Sequence, residues 1–227
     1  TAAPRRRRRP ATWSTSTRTR PSSWPSWRSA SSPRCGFSAR ALELLKPFGP
    51  VYSVVGRADA EEPAAQKAQW ALVVKNLKVL AAYAEKAGVQ ICVEPLNRFE
   101  TDFLNTCDQA LKLIKAVKSP ALRLHLDTFH MNIEEKNQAA AILKAGPLLG
   151  HFHACGSDRG TPGGDHIDWK PIAAALKKIK YRGDVVIESF TTDVKVIARA
   201  AAIWRRIEPT RDEIAVKGLA NLRRILK

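Results

Sequence analysis

Val93-Glu94-Pro95-Leu96-Asn97-Arg98-Phe99-Glu100 is the stretch whose reading decides the fold. The apolar run Val89 to Val93 has the length and branching of a buried parallel strand, so Glu94 falls where strand gives way to loop. Strand C-termini are where barrel and open α/β proteins place their chemistry. Two acids, an arginine and an asparagine crowded onto one turn fit that role better than a purely structural one.

Three later stretches repeat the pattern. Leu122 to Leu126 leads into Asp127, with His130 three residues on; Leu148 to Phe152 leads into His153, with Arg159 six residues further; Val185 to Ile187 leads into Glu188. Helical segments separate them, so Glu94, Asp127, His153 and Glu188 are expected on one rim of a parallel sheet. Two glutamates, an aspartate and a histidine suit Mn²⁺, Co²⁺ or Mg²⁺. Before Asp127, the polar residues Arg123 and His125 alternate with Leu122, Leu124 and Leu126. A polar face of this kind belongs in a barrel interior and is awkward in an open sheet covered on both sides.

Working outward, Ala41 to Lys46 reads as the end of a helix and Val51 to Val55 as an earlier buried strand closing at Gly56. This gives five strands, at about 51–55, 89–94, 122–127, 148–153 and 185–188. A helix is expected from Glu61-Glu62-Pro63 to Gly88, with Trp70, Val73, Val74, Leu77, Ala81 and Ala84 on its inner face. Others run from a cap at Asn105 or Thr106 to Val117, over Glu134 to Ala145, and from a cap at Asp168 to Lys180. Val194 to Ile207 and Pro209 to Lys227 complete the set, the last with Ala215, Leu219, Leu222 and Leu226 sharing a face. Gly160-Thr161-Pro162-Gly163-Gly164 is a loop by composition.

The 227 residues, 44% of them hydrophobic, can bury one substantial core. No apolar run approaches the length that crosses a bilayer. Cys35, Cys92, Cys107 and Cys155 show no paired spacing, and the expectation is reduced thiols in a cytoplasmic protein. Cys155 lies two residues past His153, but the oxygen-rich set around it favours a harder metal than a thiolate selects.

The net charge of +17 is unevenly placed: residues 1–40 hold ten arginines and no acid, leaving +7 on the other 187 residues. Residues 1–38 also hold five prolines, nine serines and Trp13, Trp24 and Trp27, with no helical or strand periodicity. Three origins fit this segment: a transit peptide, whose amphipathic helix five prolines would spoil; a basic arm for single-stranded nucleic acid; or a GC-rich gene read out of frame. The last is the expectation taken, with residues 1–38 a disordered or non-native segment and 39–227 the folded domain.

Val93 to Glu100, the run Leu126-Asp127-Thr128-Phe129-His130-Met131-Asn132-Ile133-Glu134-Glu135, and Gly150-His151-Phe152-His153 with Arg159 together resemble the ketose 3-epimerases of the D-tagatose/D-psicose type. These belong to the xylose-isomerase-like (β/α)8 TIM barrels, the sugar phosphate isomerase/epimerase group, and the similarity covers about residues 40–227. The resemblance implies metal ligands at Glu94, Asp127, His153 and Glu188, with Glu94 and Glu188 also the catalytic acid/base pair. It implies substrate contacts at Glu100, His130 and Arg159, Mn²⁺ as the metal with Co²⁺ or Mg²⁺ as the other choices, and a small ketose as substrate. A complete barrel of this type is expected to form a homo-oligomer. Family members often carry a glutamate after the His153 equivalent, where this chain reads Cys155-Gly156-Ser157-Asp158. Eight strands make the family barrel, so the five found here match strands four to eight of an incomplete one. Its exposed edges are expected to favour aggregation and to leave turnover weak or absent.

Blander readings stand beside these. Glu94 and Glu188 could pair with a core arginine such as Arg123, since an unpaired buried carboxylate costs roughly several kcal/mol. His125 and His151 read as core histidines or as supports behind the ligands. Arg98 is expected to pair with Glu100 or Asp102, and Arg159 could merely brace its loop. Asp165 and His166 are expected to be solvated, and Trp70, Trp169 and Trp204 to be core or interface residues. Other functions in view are a sugar-phosphate epimerase, a hydroxypyruvate-type isomerase, an inosose dehydratase or an inactive fragment. A nucleic-acid-binding protein or a phosphodiesterase of the same superfamily is the reading from a different class. It is disfavoured because that nuclease chemistry uses several more histidines than the five present.

Overall fold

A computed structural model describes residues 63–227, with side chains from residue 66 onward. The basic segment 1–38, the helix end at 41–46 and the expected strand at 51–55 lie outside the described residues. The chain enters through helix α1 (Pro63–Ala87). It continues through strand β1 (Ile91–Val93), helix α2 (Cys107–Val117), strand β2 (Leu122–Asp127) and helices α3 (Thr128–Glu134) and α4 (Gln138–Ala145). Strand β3 (Leu149–Ala154), helix α5 (Trp169–Lys178), strand β4 (Val185–Ile187) and helices α6 (Lys195–Ala200) and α7 (Arg211–Ile225) follow. The four strands form one parallel sheet in the order β1-β2-β3-β4. Sequence order and sheet order coincide, as in the wall of a β/α barrel.

Period-two alternation makes β2 two-faced. Leu122, Leu124 and Leu126 are at most 1% exposed and enter the core with Leu113, Ile114 and Val117 of α2, Ile142 of α4 and Ile172 of α5. Arg123, His125 and Asp127 take the other face. Arg123, however, reaches the far end of the sheet, where its guanidinium donates to the Pro147 carbonyl (3.1 Å), so it is no partner for Glu94 or Glu188.

In β3 strict alternation fails, and the failure matters. Leu124 pairs with Leu149 but His125 pairs with His151, so Gly150 is an extra residue, a bulge. Without it, Leu149, His151 and His153 would share a face, and both histidines would point at the helices. With it, Leu149, Phe152 and Ala154 are buried in the core while His151 and His153 join His125 and Asp127 on the inner face. Only glycine fits there: an added Cβ would lie 2.6 Å from Arg123 Cβ and 3.0 Å from Cys92 Sγ. Gly150→Ala is therefore expected to lower stability by about 1–3 kcal/mol. It should also weaken divalent-cation binding by displacing His153, and denaturation midpoints with and without cation check both effects. An unchanged midpoint would show that the bulge tolerates a side chain.

Several helix boundaries depart from the pattern-based reading. Thr106 caps α2 in a reciprocal capping box with Gln109. The expected helix over Glu134 to Ala145 is two helices. The first starts at Thr128, capped by Asp127 Oδ1 accepting from the Phe129 N–H (2.6 Å), and the second starts after Asn137, whose side chain caps Ala140. Asp168 precedes α5 without a side-chain cap, and the helix stops at Lys178 before Lys180 turns left-handed (φ 54°). Of Val194 to Ile207, only Lys195–Ala200 is helical, because Ala202 at φ 54° breaks the run. The inner face of α7 is Ile214, Gly218 and Leu222. Ala215, Leu219 and Leu226 are exposed, because Gly218 lets the helix lie directly on Ile187 and Pro162. Trp169 is buried and Trp70 packs on Phe103 (5.9 Å), but Trp204 is 86% exposed and is no core residue.

Candidate metal centre

The strand ends bring four side chains together. Candidate donor atoms of Glu94, Asp127, His153 and Glu188 lie within 4.8 Å of one another. Glu94 and Glu188 arrive from the two outer strands of the described sheet, and Asp127 and His153 are register partners in the middle. The two oxygens of Asp127 are used separately, Oδ1 capping α3 while Oδ2 lies 3.5 Å from His153 Nδ1 and 3.2 Å from Arg159 Nη1. His153 Nδ1 is also 3.4 Å from Glu188 Oε2.

Two members of this quartet carry buried atoms that find no hydrogen-bond partner among the described residues, Glu94 Oε1 and His153 Nδ1. Buried polar atoms are almost always satisfied, so Glu94 Oε1, and His153 Nδ1 with only its long ion-pair contacts to Asp127 and Glu188, mark a place with room for a further partner. Three carboxylates and one imidazole are a donor set for a divalent cation, and the residues fit one. The quartet is a possible metal-binding site. Cys155 is not part of it: burial pushes its thiol well up from the ordinary range, and its Sγ accepts from Arg159 Nη1 at 3.6 Å.

Electrostatics set these acids apart before any cation enters. Burial, reinforced by the charges of Asp127 and Glu188, pushes the Glu94 carboxyl up to about 8. Burial also raises Asp127. Glu188 goes the other way, to about 2, because His153 and Arg159 overcome its partial burial. Burial disfavours the charge on His153, but the Asp127 and Glu188 carboxylates win and raise it to about 9. At pH 7 Glu94 and His153 are therefore both protonated, and a cation must displace both protons. Loading at pH 7 is expected to release one to two protons per cation, with apparent affinity rising by up to ~100-fold per pH unit below about pH 8. Titration in a weakly buffered medium measures this directly, and loading without proton release would contradict it.

The three expected substrate residues gather beside the quartet. Arg159 is 4% exposed and holds a left-handed backbone (φ 66°), a strained conformation for a non-glycine residue. Its guanidinium lies over the Phe129 ring (4.0 Å) and near Phe190 (5.1 Å), and donates to Glu188 Oε2 at 2.8 Å. Arg159 Nη2 lies 3.1 Å from His130 Nε2 and 3.7 Å from Glu100 Oε1. It is far more than a loop brace. Its place beside the quartet gives Glu188, but not Glu94, the arginine partner that the blander reading required, and Glu94 Oε1 stays without a hydrogen-bond partner among the described residues.

His125 supports Glu94, with Nδ1 3.3 Å from its Oε2, and the rings of His125, His151 and His153 stack edge-on at 4.1–4.9 Å. Thr128, buried, ties the loop after β3 to α3 by accepting from the Cys155 N–H (2.8 Å) and donating to the Cys155 carbonyl (2.6 Å). Arg98 pairs with Glu134 (2.9 Å) and with neither Glu100 nor Asp102, because the turn after β1 packs on the end of α3. Asp165 organises the glycine-rich loop, accepting from the N–H groups of Gly163, Ile167 and the Trp169 indole, while His166 remains exposed beside Ser157. Asn97 is the residue that pattern reading passed over. It stands inside the opening motif, and its burial at 2% was invisible in the sequence.

A parallel wall of β/α units with this cluster at its strand ends defines the class, and the comparisons agree. Residues 37–225 match the xylose isomerase-like TIM barrel family, and the chain belongs to that family. It is 42% identical over 180 residues to a probable ketose 3-epimerase of Synechocystis, covering 79% of this chain and 62% of that protein. It is 39% identical over 147 residues to the D-psicose 3-epimerase of Agrobacterium fabrum, covering 65% of this chain and 51% of the relative. A crystal structure of a D-psicose 3-epimerase in the presence of D-fructose superposes with a TM-score of 0.67 at 38% identity, over 69% of this chain and 56% of that one. The chain thus spans between half and two thirds of the length of these relatives. Among the described residues no helix is long and apolar enough to cross a membrane.

Proposed function

We propose that this chain carries the metal site and acid/base pair of a ketose 3-epimerase acting on a free sugar such as D-psicose. The observation that carries the reading is the quartet itself, in which Glu94 and Glu188 approach one point from the two outer strands of the described sheet. Inverting a stereocentre needs a proton carrier on each face of the carbon. Glu94, Asp127, His153 and Glu188 would hold the cation, Mn²⁺ by preference with Co²⁺ or Mg²⁺ as the alternatives. When bound, it supplies Lewis acidity toward a vicinal carbonyl and hydroxyl.

The chain's own residues do the rest. One glutamate takes the proton from C3, the C–H electron pair moves into the C2–C3 bond, and the C2 carbonyl oxygen gains the charge of an enediolate. The other glutamate, which must carry a proton taken up from solvent when the sugar binds, gives it to the opposite face of C3. His130 and Arg159 donate to sugar oxygens, and Glu100 accepts from a hydroxyl. Among the described residues, Arg159 is the arginine whose charge acts on these carboxylates beside that of His153, and it is already engaged by Asp127 and Glu188. That commitment favours a free sugar over a sugar phosphate.

Incubating the chain with Mn²⁺ and D-psicose or D-fructose in D2O tests the reading. Deuterium should enter C3, with the C3 epimer forming alongside. Exchange no faster than in a Glu94→Gln, Glu188→Gln double variant, in a chain that demonstrably binds Mn²⁺, would overturn it.

A further inference from the structure

Below the quartet, the inner face of the sheet carries a second set of donors. His125 and His151 are register partners on β2 and β3, and His153 follows His151 two residues on. Candidate donor nitrogens of these three residues lie within 4.8 Å of one another. The ring centroids are 4.1 Å apart for His125 and His153, 4.8 Å for His125 and His151, and 4.9 Å for His151 and His153, with planes inclined at 73–79°. The Gly150 bulge assembles them, since without it His151 and His153 would both face the helices.

His125 shows that edge-on packing is not the whole account. It is 8% exposed, and its Nδ1 lies 3.3 Å from Glu94 Oε2. Its Nε2 is buried with no hydrogen-bond partner among the described residues. Leaving a buried polar group unsatisfied costs on the order of 1–3 kcal/mol, and ring packing supplies no hydrogen bond to offset that. A cation held jointly with the two neighbouring rings does.

Donor type sets which cation. Three imidazoles without a carboxylate suit Zn²⁺, whereas the carboxylates of the quartet suit a harder ion. Zinc accepts three histidines and keeps a fourth position open. Tetrahedral zinc–nitrogen bonds of about 2.0–2.1 Å hold the nitrogens about 3.4 Å apart, so closing the trio takes ring movements on the order of 1 Å.

We infer that His125, His151 and His153 form a second cation site, selective for Zn²⁺ and mutually exclusive with the quartet because both draw on His153. An imidazole that keeps its N–H has one lone pair, so His153 serves one cation at a time. Zn²⁺ in the trio therefore expels the harder cation from the quartet. The site follows from ring positions and donor types, and only its consequence as an inhibitory site rests on the epimerase reading.

The test uses the full chain with Zn²⁺ and Mn²⁺. With equimolar Zn²⁺, X-ray absorption at the zinc edge should show three imidazoles around the ion, where zinc in the quartet would show one. Zn²⁺ should displace bound Mn²⁺ one for one, read as the rise of the spin-resonance signal of free Mn²⁺. His151→Ala removes a ligand of the trio and none of the quartet. It should weaken Zn²⁺ binding by ~100-fold or more, beyond what loss of an outer support costs, and leave Mn²⁺ affinity unchanged. Zinc carrying one imidazole, Zn²⁺ affinity unchanged in His151→Ala, or Zn²⁺ and Mn²⁺ bound together overturns the inference. The wild-type spectrum decides even if the variant does not fold. Three imidazoles on zinc, in a chain that binds Mn²⁺ but exchanges C3 of no ketose, would retire the epimerase reading and leave the zinc site standing.

Discussion

Glu188→Gln and Glu94→Gln are each expected to abolish epimerisation, with turnover falling by about 10³-fold or more. The reason is the double use of these two carboxylates. Each contributes a candidate donor atom to the quartet, and each follows an outer strand of the described sheet, from which it is proposed to serve one face of the sugar carbon. An amide keeps the shape but cannot carry the proton, and it is a weaker ligand. Two-sided chemistry makes a sharper prediction: deuterium wash-in from D2O that survives in one variant should be confined to one of the two C3 epimers, and in the other variant to the opposite one. His130→Ala should behave differently, raising KM more than it lowers kcat, because His130 is proposed to hold an oxygen and not to move the proton. Full exchange from both epimers in both Gln variants would sink the two-carboxylate mechanism.

The second large effect concerns stability. Arg159→Ala is expected to destabilise the metal-free chain by about 3–5 kcal/mol, because the side chain is 5% exposed and bridges Asp127 and Glu188. Removing it strands those carboxylates in a poorly solvated place. A divalent cation supplies the missing positive charge, so Mn²⁺ should recover a larger share of stability in the variant than in the wild type. Arg159→Lys should fall between, since a single ammonium cannot reproduce the forked contacts to Asp127, Glu188 and His130. Denaturant titrations with chelator and with Mn²⁺ give the four numbers needed. A loss below 1 kcal/mol that is equal in both conditions would mean that Arg159 contributes nothing to holding the acids together.

This result would separate two roles that the sequence merged. A sugar contact alone predicts weaker substrate binding and an unchanged fold. The observed burial, the left-handed backbone and the stacking on Phe129 and Phe190 predict both effects together.

What the sequence determined by itself was the set of strand ends and the side chains they deliver. Short apolar runs ending in Glu94, Asp127, His153 and Glu188 are a local signal. A parallel sheet whose order follows the chain must bring consecutive strand ends to one rim, so the quartet was legible before any coordinate. The first long helix and a cap at Asn105 or Thr106, which the structure places at Thr106, were legible for the same reason: caps and the 3.6-residue period are written within a few residues. Tertiary structure alone decided the rest. The Gly150 bulge reverses the phase of β3, and nothing local distinguishes a glycine that continues a strand from one against which Arg123 of β2 and Cys92 of β1 press. The face of α7 was misjudged because Gly218, which has no side chain to read as apolar, makes the closest approach to the sheet. Arg98 found Glu134 and Asn97 found His130 across 36 and 33 residues of chain, beyond the reach of any periodicity. Residue type and spacing determined which groups meet at the rim, while packing determined which way each one points and what it is bonded to.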